Sequence, residues 1–103
     1  MVAGLDQGDE FIRDMGYSLT EFHRILPSAV GDYAHRVEGN RVVIDGAESG
    51  QQLTLDLKVL PDRQIGMIRI PHMEVKFDFQ NFPMQERKNF MVGFDRSYQR
   101  GGG

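Results

Sequence analysis

The sequence predicts an α+β fold: a two-layer domain in which an antiparallel meander of four to five strands carries an N-terminal and a C-terminal helix on one face. Three observations predict it. Residues 73–80 alternate apolar and polar side chains without a fault, the mark of a strand with one buried and one wet face. Ser18-Leu19-Thr20-Glu21 is a helix-start signal ahead of an apolar run. Met84, Phe90, Met91, Phe94 and Tyr98 fall on one arc of a helical wheel.

In order, residues 1–8 are polar and glycine-containing, and are expected to fray. Residues 9–15 are expected to form a brief helix, with Phe11, Ile12 and Met15 on one side and Gly16 ending it. In the capping box, Ser18 accepts from the amide of Glu21 while Glu21 reaches back, and Tyr17 and Phe22 sit at the positions of a hydrophobic staple. The helix should run over residues 19–26 and end or kink at Pro27, which lacks a donor and disfavours helical geometry before it.

From Tyr33 the period becomes two. Tyr33, His35 and Val37 alternate with Ala34, Arg36 and Glu38, Gly39-Asn40 suits a hairpin turn, and Val42 and Ile44 share a face of the next strand. Residues 52–59 alternate again, Pro61-Asp62 is expected to turn the chain, and residues 65–70 to form a further strand. Pro71 predicts a break, bulge or edge position before residues 73–80. There Val75, Phe77 and Phe79 point one way, and Glu74, Lys76, Asp78 and Gln80 the other. Two large aromatics on one short strand should sit at the centre of the core. Pro83 suits the first position of the last helix, which should cover that face. Spacings between strands are too short for parallel crossovers, which need about a dozen residues.

The 103 residues fit one domain with a small core, and residues 100–103 are expected to form a flexible end. The absence of cysteine removes disulfides, thiolate metal sites and cysteine nucleophiles, and is compatible with a reducing cytosol. Residues 1–14 carry the whole net charge of −3 and no apolar stretch, unlike a secretory signal, so the expected compartment is cytoplasmic. No membrane span is expected. The balanced body argues against nucleic-acid binding, which needs a concentrated basic surface.

No catalytic constellation or phosphate-binding loop stands out, no cofactor is implied, and His23, His35 and His72 lack the close spacing of a helical zinc pair. The polar sheet face (Thr54, Asp56, Lys58, Arg69, Glu74, Lys76, Asp78) reads as a solvated surface with charges paired across strands. Arg87 falls inside the apolar arc of the last helix. Its stem is expected to cover the sheet while its head reaches water, or its guanidinium to pair with Asp56 or Asp78 or to hold an anion in a pocket. Lys88, Arg96 and Arg100 mark a basic helix surface.

The ending Arg100-Gly101-Gly102-Gly103 resembles the C-termini of ubiquitin-like modifiers and sulfur carriers, which finish in Arg-Gly-Gly or Gly-Gly. That resemblance implies activation of a terminal glycine carboxylate. This chain has a third glycine, and a helical pattern rather than a strand before it.

The expected function is therefore that of a non-enzymatic interaction or accessory module. Its partner is another protein, and it is a monomer or an edge-paired homodimer. The alternatives are a carrier using Gly101, Gly102 and Gly103, and a pocket around Arg87.

Overall fold

The computed structural model describes residues 10–102, and side chains through residue 99. The elements are β1 (Glu10–Met15), α1 (Leu19–Val30), β2 (His35–Glu38), β3 (Arg41–Asp45), β4 (Gln52–Ile65), β5 (Ile68–Gln80) and α2 (Met84–Gly102). All five strands lie in one antiparallel sheet of order β1-β5-β4-β3-β2. This is the α+β architecture that the alternation predicts, with β5 enclosed between β1 and β4. The fraying expected for residues 1–8 lies outside the described residues.

β5 anchors the core as its pattern requires. Met73, Val75, Phe77 and Phe79 are fully buried, while Lys76 and Gln80 are exposed and Glu74 and Asp78 half-exposed. Leu53, Leu55 and Leu57 face inward from β4, directly opposite Phe79, Phe77 and Val75. The helices close this face through an aromatic ladder. Phe94 meets Phe77 edge-on at 5.1 Å, and Tyr98 stacks on Phe22 of α1 at 5.0 Å. The hydroxyl of Tyr98 donates to the Phe22 carbonyl at 2.8 Å.

Burial pushes the Tyr98 phenol well above its ordinary value of 10, and the neighbouring Tyr17 adds to the effect. The folded chain thus holds this proton more tightly than the unfolded chain. Its contribution is complete below the unfolded value and lost as pH rises beyond it, with a slope approaching about 1.4 kcal/mol per pH unit. Urea unfolding between pH 8 and 11 should show that decline, and Tyr98→Phe should flatten it. An unchanged slope in the variant would place the alkaline sensitivity elsewhere.

Residues 10–15, the described part of the expected first helix, form a strand instead. Phe11, Arg13 and Met15 turn inward along β1, whereas Ile12 is 59% exposed. A charged residue at an inward position disguised the period of two. The Arg13 guanidinium lies over the rings of Phe11 and Phe77 (5.7 and 6.0 Å) and pairs with Asp95 of α2. An inward charge of this kind also discourages pairing at an edge strand.

α1 starts where the capping box places it, with the Glu21 amide donating to Ser18 Oγ at 3.2 Å. Glu21 turns to Arg24 (3.5 Å), and the rings of Tyr17 and Phe22 both lie against Tyr98. The helix does not stop at Pro27 but runs to Val30. Burial of Ala29 and Val30 beyond the proline offsets the lost backbone bond, and Gly31 terminates the helix.

The Pro61-Asp62 turn is not formed either. β4 continues to Ile65, and Pro61 and Asp62 together oppose the single Pro71 of β5 as a bulge. Two residues without an N–H are thereby gathered where the ladder has least need of donors. The chain reverses at Gly66-Met67, where Gly66 (φ +60°) supplies the positive φ that a type II′ turn asks of its first residue.

Some apolar residues depart from their expected surroundings: Val59, at the end of the 52–59 alternation, is 60% exposed. Val37 and Met84 are 49% and 57% exposed, whereas Val43, on the helix-free face, is buried. Charges of opposite sign also meet on that face: Asp56 opposes Lys76, Lys58 opposes Glu74, and Arg41 holds Asp56 at 2.8 Å. The hydrogen bond to Asp56 keeps the Arg41 guanidinium above its ordinary value, as Glu38 does for Arg36.

Candidate functional site

The sequence-predicted residues do not converge. Arg87 is half-buried near the start of α2 with its guanidinium 5.3 Å from the centre of the Phe79 ring, so the cation itself lies against the aromatic face of the sheet, where its head was expected to reach water. The expected carboxylates lie elsewhere: Asp56 and Asp78 alternate onto the helix-free face, and Asp56 is taken by Arg41. Lys88 and Arg96 are exposed on α2, eight residues or roughly 12 Å apart along the axis. Val92 stands between them, 55% exposed. The side chain of Arg100 and the whole of Gly103 lie outside the described residues, and the bounds of α2 include Gly101 and Gly102.

The geometry draws attention instead to two places that the sequence reading passed over. The first is the outer half of the β4–β5 hairpin. β3 accompanies β4 only as far as Asp56, and β1 accompanies β5 only from Met73. Beyond those rungs the two strands project as a ribbon for roughly 20 Å. Register parity places Leu60, Arg63, Ile65, Ile68, Ile70 and His72 toward the helix-free side, and Gln64 and Arg69 toward the other. Ile65 and Ile68 oppose each other and are both 63% exposed, and Met67 at the tip is 97% exposed. At the base a groove of about 230 Å³ separates the arm from the end of β1, lined by Gly16, Ile65, Ile70 and a charged rim. In that rim His72 Nε2 sits 3.1 Å from Arg63 Nη2 and 3.5 Å from Asp14 Oδ1.

The Pro61-Asp62 signal concealed this arm. Read as a turn, it cuts one long hairpin into separate short strands.

The second place is a cleft of about 590 Å³ on the opposite side of the molecule. Its walls are the end of α1, the connection to β2, the start of the β3–β4 turn, and α2 around Phe90 and Gly93. Arg87 does not line it. The β3–β4 turn is held by Gln51, whose Oε1 accepts from the Glu48 amide and whose Nε2 donates to Glu86 of α2, each at 3.0 Å. The one available signal for the cleft was Gly93, a glycine well inside a helical pattern.

Among the described residues no three His, Cys, Asp or Glu side chains gather as a metal site. No helix among them is long and apolar enough to cross a membrane. Comparison with protein-family models, curated proteins and solved structures finds no match.

Proposed function

We propose that this chain acts by binding another protein rather than by catalysis, and that the β4–β5 arm is the element it presents. One observation carries the reading: a projecting ribbon that gains no core burial at its tip keeps Ile65, Met67 and Ile68 exposed together. Contiguous exposed apolar side chains mark interaction surfaces. Strand addition along the arm is disfavoured at the bulge, where Pro61 and Pro71 offer no donor. The contact is therefore one of side chains, the apolar face of the arm entering a groove on the partner. The rim of Asp14, Arg63 and His72 would lie at its margin. A cytoplasmic setting belongs to the same proposal, since a cysteine-free chain is compatible with a reducing compartment.

A photo-crosslinking residue at position 67, introduced in the native host, should capture one discrete partner. The same residue at position 92, on the outer face of α2, should not. Capture from 92 alone would move the contact to the Lys88/Arg96 surface, and capture of only this chain from 67 would replace the partner by a second copy.

A further inference from the structure

The cleft has a shape and a charge that together specify a ligand class. Its floor is apolar, formed by the buried Ala29, Val30 and Phe90 with the half-exposed ring of Tyr33 6.0 Å from that of Phe90. Its charged lining groups are Asp32 and Asp45, and no lysine, arginine or histidine is among the lining residues. Arg36 approaches Asp45 at 3.8 Å from outside the lining, on the exposed side of β2. A volume of about 590 Å³ lies within the range of small-molecule sites.

Gly93 supplies an independent observation. It stands in the middle of α2, where glycine is a poor helix former. Close packing does not require it, because a Cβ at that position would meet nothing within 4 Å. What a side chain there would enter is the cleft. The glycine costs helix stability and keeps one wall low.

We propose that this cleft binds a small organic cation with an aromatic or apolar body: an amine whose ring lies against Tyr33 and Phe90 and whose charge is met by Asp32 and Asp45. The site is separate from the arm, and neither proposal rests on the other.

The test is a titration of the isotope-labelled full chain, followed by backbone amide NMR. The probes are tryptamine, phenethylamine and hexylamine, alongside indole-3-acetate and tryptophol as anionic and neutral counterparts. At least one amine should give saturable shifts confined to residues 28–34, 45–47 and 89–93. Its carboxylate counterpart should bind at least tenfold more weakly. Asp32→Asn and Asp45→Asn should each weaken the amine about fivefold, and high salt should do the same. Gly93→Leu should abolish the shifts while the melting temperature stays level or rises, separating a filled cleft from an unfolded chain. Absence of saturable shifts with all three amines overturns the proposal. So does a carboxylate that binds as well as its amine, or an amine that binds Gly93→Leu unchanged.

Discussion

Replacing Phe94 by alanine is expected to remove about 3–5 kcal/mol of folding stability, the range for deleting a buried phenylalanine ring. Phe94 is fully buried and is the joint between the layers. Its ring lies 5.1 Å from Phe77 on β5, 5.9 Å from Phe90 and 4.7 Å from Tyr98, so truncation opens a void against the sheet and beside α1 together. The cavity is bounded by rings already engaged with one another, which limits collapse around it. A domain of this length has total stability of roughly 5–15 kcal/mol, so the loss takes a large share. The thermal midpoint should fall by well over ~10 °C. Urea unfolding with an unchanged m-value would measure the loss, with Val92→Ala on the exposed side of the same helix as reference, expected to lie within about 0.5 kcal/mol of wild type. A loss below ~1 kcal/mol for Phe94→Ala would mean that α2 is not the lid of this core.

The second large effect is on binding and leaves the fold alone. Ile65→Ser with Ile68→Ser should weaken the arm's partner at least ~30-fold, since a central anchor residue is worth about 2 kcal/mol or more. Both side chains are 63% exposed and oppose each other outside the flanking strands, so stability should hardly change. Affinity for the captured partner, measured beside urea unfolding of the same variants, separates the two quantities. Equal affinity with an intact fold would remove the arm from the contact. A matching loss of stability would show that these isoleucines serve the core.

Legibility followed the purity of local pattern. Residues 73–80 alternate cleanly and were read as they fold, as was Ser18, whose capping geometry needs only neighbours along the chain. β1 was misread because Arg13 occupies an inward position. Asp95, eighty-two residues away, pairs with its charge there. Pro27 and Pro61 look like terminators because proline's local cost is visible in sequence while the tertiary burial or bulge that absorbs it is not. The arm and the cleft share one reason for their obscurity. Each is defined by where neighbouring elements stop, and no residue in either announces that limit, apart from a glycine inside α2.

The position of β1 also bears on how the chain acquires its structure. Its hydrogen-bonding neighbour is β5, with Phe11 opposite Phe77 and Glu10 opposite Asp78. Closing so wide a loop carries an entropic cost before any contact repays it, which raises contact order and slows folding. During synthesis the ribosome delivers β1 first and its mate only after the other three strands have emerged. For that interval Phe11 and Met15 have no home, and the charges of Arg13 and Asp14 help to keep a nascent edge from joining the wrong neighbour.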